Sequence, residues 1–265
     1  MTVTKDLNTW EEFQFELRKI KLDFPRSTIL YRGHSDATWT IQSTLERSNI
    51  PDIDTWSKYL TMIGTFEDEI TSFTGRDLQV PEYGEFIEKV KVLGQDMLLR
   101  NFPAYPFLLY LRHHGFPSPL VDWSMSPFIA AFFAFRTISS TAPRVSINAF
   151  IHTLDGGTFT SESESFIKTW GPFAKAHDRH FRQRAMYTTC QKWVERKDHA
   201  IKNHDDVFSK ADAEQNLLTT FTLPASIRAE VLEYLQDHNI NAFTLLGTED
   251  GLAETMWARA YFRYK

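Results

Sequence analysis

Apolar residues in the first part of the chain recur with two different periods. Trp10, Phe13, Leu17 and Ile20 fall three or four positions apart, the spacing that lines one face of a helix. Thr9-Trp10-Glu11-Glu12 has the Thr-x-x-Glu form of a capping box, in which Glu12 returns a hydrogen bond to the cap. The pattern predicts a helix from Thr9 to about Leu22, broken at Phe24-Pro25-Arg26-Ser27. Ser27–Arg32, STILYR, is β-branched and apolar and predicts a short strand ending at Gly33. Trp39-Thr40-Ile41-Gln42 reads as a second strand or an extended segment. Helical spacing returns from Thr55 to Phe73, with Trp56, Leu60, Ile63 and Phe66 on one face. Pro81 to Leu93 leans helical, and Asp96 to Tyr110 reads as a helix broken by Pro103 and Pro106.

From Leu111 to Phe135, LRHHGFPSPLVDWSMSPFIAAFFAF, the pattern changes twice. Gly115, Pro117 and Pro119 force a bent backbone ahead of a short apolar step, Leu120–Val121. The run after Pro127 is apolar enough for a buried helix, with Ser126 as N-cap and Pro127 at the favoured first position. Val145–Leu154 predicts a buried strand, Thr158–Lys175 has no period and reads as loop, and Ala185–Thr189 predicts a strand. Leu217–Leu223 is a strand closed by Pro224. Ser226 to His238 is an amphipathic helix carrying Ile227, Val231, Leu232 and Leu235. Asn239–Asn241 then turns the chain into a strand at Ala242–Leu246. The expected fold class is α+β: a helical N-terminal half packed on a small mixed or antiparallel sheet. One domain spans 1–265, with Ile50–Phe107 as a helical insertion or subdomain.

Composition narrows the function classes. With 265 residues, 42% hydrophobic and 24% charged, the chain can bury a proper core. Its 22 Phe, 9 Tyr and 7 Trp predict an aromatic-rich core, with some rings left for stacking on bases. A net charge of −5 supplies no overall field for nucleic acid. It leaves only the locally basic and aromatic segment Arg179–Lys197, with Lys175–Arg184 at its start. The single cysteine, Cys190, excludes an internal disulfide framework and fits a reducing cytoplasm. MTVTKDLNTWEEF lacks a signal-peptide pattern, and the longest apolar run, Pro127–Phe135, is too short for a bilayer. A cytoplasmic protein without a membrane partner is the expectation.

The chemistry-bearing residues cluster. Tyr31-Arg32-Gly33-His34 places an Arg at a strand end beside a Gly, an arrangement able to clamp a phosphate or carboxylate with the backbone close by. In the central motif, Ser126 is needed as a cap, whereas His114, Asp122 and Ser124 lie outside that need. His113 and His114 are too few for a closed zinc site, so no metal is expected. Gly-x-Ser-x-Gly, Gly-x-Gly-x-x-Gly and a Gly-Lys-Ser/Thr phosphate loop are all missing, which disfavours the serine hydrolase, dinucleotide-fold and P-loop classes. Glu249-Asp250-Gly251-Leu252-Ala253-Glu254 offers paired acids for a ribose hydroxyl or a general base, or else an acidic helix start.

Taken together, Tyr31-Arg32-Gly33 with Trp39 and Leu45, and the run from Leu111-x-His-His-Gly-Phe-Pro-Ser-Pro-Leu-x-Asp-Trp-Ser-x-Ser-Pro, resemble the bacterial FRG-domain family. That family is named for its Phe/Tyr-Arg-Gly motif. Arg179-x-x-x-Gln183, Tyr187-Thr188 and Asp250-Gly251-Leu252-Ala253 extend the likeness. Thr248 departs from it, standing where the family carries the first of two acids.

The resemblance implies a toxin or anti-phage setting and a layout similar to ADP-ribosyltransferases, with NAD as substrate. On that mapping Arg32 holds the NAD pyrophosphate or ribose, and Ser124 supports the nicotinamide end with Trp123 or Phe128 nearby. Gln183, Glu249 or Glu254 polarises the ribose hydroxyl or activates the acceptor, and Tyr31, Gly33, His114 and Asp122 complete the NAD site. The acceptor would be RNA, DNA or protein, and an antitoxin or chaperone partner is implied as well. Two rivals remain open: a non-catalytic nucleic-acid or ligand sensor, and a nuclease using His114 and Asp122.

Overall fold

The computed structural model describes residues 2–48, 50, 52–75, 84, 104–137, 142–152, 164–171, 179–194, 198–209 and 216–263. The helical reading of Pro81–Leu93 lies outside them, apart from Gly84, and so does most of the loop from Thr158 to Lys175. Strand β1 (Thr2–Asp6) precedes helix α1 (Trp10–Asp23), whose predicted face is buried through Trp10, Phe13, Leu17 and Ile20. Thr9 caps it by accepting from the Glu12 amide at 3.2 Å. Glu12 reaches one residue further back than a capping box requires, accepting from the Asn8 amide at 2.7 Å.

Strand β2 (Thr28–His34) runs through Gly33 instead of ending there. Trp39–Gln42, expected as a second strand or an extended segment, forms no strand. Short helix α2 (Thr44–Ser48) follows, then α3 (Trp56–Gly64) and α4 (Glu67–Thr74). These last two replace the single helix predicted over Thr55–Phe73. The break falls at Gly64, where the Thr65 and Phe66 amides bond three residues back to Met62 and Ile63.

Helix α5 (Tyr105–His113) leads through the proline-rich bend into strand β3 (Val121–Ser124), so the short apolar step belongs to a strand. Helix α6 (Pro127–Arg136) is buried nearly all round, and Ser126 caps it by accepting from the Ile129 amide. Strands β4 (Arg144–His152) and β5 (Phe166–Trp170) come next, the second inside a stretch that reads as loop. The next elements are α7 (Arg179–Arg182), β6 (Ala185–Val194), β7 (Asp198–Ile201), α8 (Asp205–Phe208) and β8 (Asn216–Pro224). A 3-10 turn at Ala225–Ile227 opens α9 (Arg228–Asp237). Ala242–Leu246, predicted as a strand, is instead helix α10, because Asn241 and Thr244 close a reciprocal cap and Gly247 ends it in the left-handed region. Helix α11 (Glu249–Arg263) completes the described chain.

The sheet is larger than expected, with eight strands among the described residues in the order β1-β8-β4-β2-β3-β6-β5 and β7 beside β6. All pairings are antiparallel except β1 with β8. Among the described residues α2–α5 follow one another between β2 and β3 and five of the eight strands come after α6, so the first half is helix-rich and the second strand-rich. Strands β1, β2 and β3 already lie in the first half and α9–α11 close the described chain; the mixed α and β character holds.

Side chains alternate across a sheet, and the register assigns each to a face. Tyr31 pairs with both Ala149 and Ser124, Ser124 with Ala185, and Asp122 with Tyr187, so these residues share one face. That face carries two separate cores. One, over β8, β4 and β2, gathers Phe13, Leu17, Phe135, Ile147, Phe221 and Leu235. The other, over β3, β6 and β5, gathers Tyr59, Phe107, Leu108, Trp170 and Tyr187. A third cluster, with Leu30, Trp123, Phe150 and Phe208, covers the opposite face.

Candidate functional site

The two cores leave a seam between them at β2 and β3. There the ladder is reduced to one pair, Tyr31 with Ser124, whereas β2 pairs with β4 over all seven of its residues. Beyond that pair the Arg32 guanidinium occupies the gap, donating from Nη1 to the Asp122 carbonyl at 2.7 Å. A cleft of about 290 Å³ opens at this point. Arg32, His113, Asp122, Ser124, Gln183 and Tyr187 are among its lining residues, together with Tyr31 and Phe133.

Arg32 is oriented by two acceptors. Besides the Asp122 carbonyl, its Nε donates to His34 Nε2 at 3.0 Å. That imidazole must present a bare nitrogen to Arg32, so its proton sits on Nδ1, which donates to the Trp39 carbonyl at 3.3 Å. Burial, then the Arg32 charge, pushes the His34 pKa down to about 3, so the ring stays neutral. Burial also lowers Arg32 to about 10, opposed by Asp122 and helped by Arg112 and Arg47; it remains a cation at neutral pH. Nη2 of Arg32 enters no hydrogen bond among the described residues.

Asp122 faces Arg112, which grips it with both arms of the guanidinium: Nε bonds Oδ1 at 3.1 Å and Nη2 bonds Oδ2. Burial pulls the Asp122 carboxyl upward, but Arg112, Arg32 and His113 outweigh it and hold it below the usual range. The same pairing outweighs burial at Arg112 and raises it. Asp122 nevertheless keeps 42% of its side-chain surface accessible. One carboxylate shared between two guanidiniums leaves a net positive charge in and beside the cleft, which favours an anionic ligand.

The remaining walls divide into committed and uncommitted groups. Ser124 Oγ donates to the Gln183 carbonyl at 2.7 Å and accepts from the Ser126 amide at 3.0 Å, so it holds the turn before α6. Gln183 donates from Nε2 to the Leu245 carbonyl at 3.2 Å, while its Oε1 accepts nothing among the described residues. Tyr187 Oη lies 3.3 Å from His113 Nε2 and 3.5 Å from His180 Nδ1. Tyr31 is 2% exposed and its hydroxyl has no partner among the described residues. Burial raises its pKa to about 12, so it remains a donor.

Residues 27–142 match the family model described as FRG domain. This stretch is an FRG domain. No curated protein and no solved structure matches the chain. The FRG domain supplies Arg32, His113, Asp122 and Ser124 to the cleft and Arg112 behind Asp122, and the chain beyond it supplies Gln183 and Tyr187. Helix α6, inside the FRG domain, explains Gly33. A Cβ there would stand 1.9 Å from the Ala130 carbonyl oxygen and 2.7 Å from the Ala134 amide nitrogen, so the close approach is made by this helix.

The expected site residues separate accordingly. Tyr31, Arg32, Gly33, Asp122, Trp123, Ser124 and Gln183 come together at the cleft. His114 does not line it; its exposed ring stacks on Tyr110, and Nδ1 lies 2.8 Å from the Tyr110 carbonyl. Its neighbour His113 takes the place in the cleft. Glu249 is exposed at the start of α11, as an acidic helix start would be. Glu254 lies in another cavity, between α6, α9 and α11, where its carboxylate meets Arg136 in a fork of 2.7–3.1 Å. Within the basic segment Arg179–Lys197, Ala185–Gln191 is buried in strand β6, whereas Arg182 and Arg184 are exposed ahead of it. Sequence reasoning missed Arg112 and passed over Tyr187 as a lining group. An Asp on a short buried strand demands a cationic partner, and the Arg preceding the paired histidines was the available signal.

Trp123 takes part from behind. Its Nε1 donates to Thr188 Oγ1 at 2.7 Å, and Thr188 lies 3.0 Å from His204 Nε2. Since indole only donates, Thr188 Oγ1 accepts from it, and His204 Nδ1 in turn faces Glu46 at 3.3 Å. This buried chain fixes the ring on the far face of the cleft.

Proposed function

We propose that the cleft binds NAD and that the protein is an ADP-ribosyltransferase. The reading rests on one observation. Arg32 Nη2, the Tyr31 hydroxyl and Gln183 Oε1 are polar groups without protein partners among the described residues, and their residues line one cleft beside a net positive charge. Arg32 would take the pyrophosphate, with Tyr31 as a further donor and Gln183 as acceptor for a ribose hydroxyl. The ionised Asp122 faces the ribose as positive charge develops there. The C1′–N bond breaks, nicotinamide leaves with the bonding pair, and the acceptor forms the new bond to C1′ while its proton passes to His113. The toxin or defence setting is supported by the family resemblance alone.

A second reading is favoured by a specific observation: Ser124 is fully committed and Asp122 is gripped by Arg112, so neither is an unengaged nucleophile or acid. On this reading the cleft is a sensor that binds a nucleotide without consuming it. Incubation with labelled NAD and a cell extract separates the two. Label transferred to protein or nucleic acid, and lost in Arg32→Ala, is the expected result. NAD bound but intact with every extract favours the sensor, and NAD neither bound nor consumed sinks both.

A further inference from the structure

A second compartment, of about 570 Å³, adjoins the cleft and shares Arg32, Gly33 and Phe133 with it. Its remaining lining is Ser35, Thr38, Thr40, Gln42, Arg47, His34 and Trp39. Among the described residues the lining combines two guanidiniums, three hydroxyl side chains and the rings of Trp39, Phe133 and His34, with no carboxylate. Asp36 lies close by in sequence, but its carboxylate is turned onto the Thr38 amide and hydroxyl at 2.9 and 2.7 Å.

Trp39 leaves 56% of its surface exposed, unusual for the largest apolar side chain. Its backbone is nevertheless anchored. The Trp39 carbonyl accepts from His34, whose other nitrogen accepts from Arg32, so the Trp39 main chain and the guanidinium are tied through one imidazole, with the indole 6.1 Å from that ring. Arg47 uses Nη1 on the Gln42 carbonyl at 3.0 Å, and among the described residues nothing engages its other nitrogens. An exposed indole beside unengaged guanidinium nitrogens is the pairing that recognises a base and its phosphate.

We propose that this compartment is a nucleoside-phosphate subsite, with the base stacked on Trp39 and the phosphate between Arg47 and Arg32. The nucleotide comes either from the adenylate half of NAD or from a single-stranded acceptor. The substrate class deepens the transferase reading and rests on it only for the NAD source.

The test is calorimetric titration of the whole protein with AMP, nicotinamide mononucleotide, NAD and a short single-stranded RNA. Trp39→Ala should weaken AMP about tenfold, and Trp39→Phe should largely restore it, in keeping with loss and recovery of stacking. Arg47→Ala should weaken AMP most at low salt. Because Trp39 and Arg47 are exposed, thermal midpoints should not move. NAD weakened together with AMP assigns the subsite to NAD; RNA weakened without NAD assigns it to the acceptor. Nicotinamide mononucleotide should ignore Trp39 and depend on Arg32. If it fails to bind while AMP binds through Trp39, the transferase reading falls and the subsite stands. AMP and RNA that bind wild type and Trp39→Ala alike, or neither binding at millimolar concentration, overturn the proposal.

Discussion

A buried phenol without a partner costs stability, because its desolvated hydroxyl gains nothing in return. Tyr31 carries that cost at 2% exposure while lining the cleft. Tyr31→Phe should therefore leave stability unchanged or raise it by up to about 1 kcal/mol, measured by urea unfolding. The same variant should bind nicotinamide mononucleotide several-fold more weakly. A stability loss of the size seen for hydrogen-bonded buried tyrosines would show that the hydroxyl is satisfied and the cleft is not its purpose. Arg32 differs in kind, since two of its donor nitrogens are spent on protein acceptors that aim the third. Orientation is built into the residue before any ligand arrives.

Among the elements, α6 and β2 are pressed together at Gly33. Gly33→Ala should destabilise by about 1–3 kcal/mol, because the added methyl meets helix backbone and not a flexible side chain. Equilibrium denaturation checks this, and an unaffected midpoint would mean the helix can yield. The example also shows how legible the chain was. Elements with a strong period or cap were read correctly: α1 from Trp10, Phe13, Leu17 and Ile20, and α6 from Ser126-Pro127. Ala242–Leu246 misled because its composition is strand-like while the deciding signal, the Asn241 cap, sits outside it. Strand β1, at the sheet edge, has only alternating half-exposed residues and no apolar run to announce it. At the site, Arg32, Asp122 and Ser124 were legible from motif chemistry. The choice between His113 and His114 was not, because it depends on which side of the last turn of α5 faces the sheet.

Over the whole molecule, the neutral His34 makes stability depend on pH. Its folded pKa of about 3 lies below the ordinary 6.5, so the unfolded chain binds the proton first as pH falls. The contribution is fully present above about pH 6.5 and is lost progressively down to about pH 3, by up to about 1.4 kcal/mol per pH unit. His34→Gln, which can still accept from Arg32, should flatten that acid slope relative to wild type in urea midpoints taken at pH 7 and pH 4.5. Equal slopes would place the titration elsewhere.

The single Tyr31–Ser124 pair has a mechanical consequence. Strands β1, β8, β4 and β2 form one continuous ladder and β3, β6, β5 and β7 another, so the sheet behaves as two plates joined along a seam. Turning one plate against the other breaks a single backbone bridge and the Arg32 contact to Asp122, leaves the two cores of the cleft face each on its own plate, and shears the third cluster, where Trp123 of β3 lies 5.7 Å from Phe150 of β4. The cleft sits on that seam, with Arg32 on one plate and Asp122 on the other. A ligand held by both therefore sets the angle between the plates, and occupancy becomes a change of shape as well as of charge.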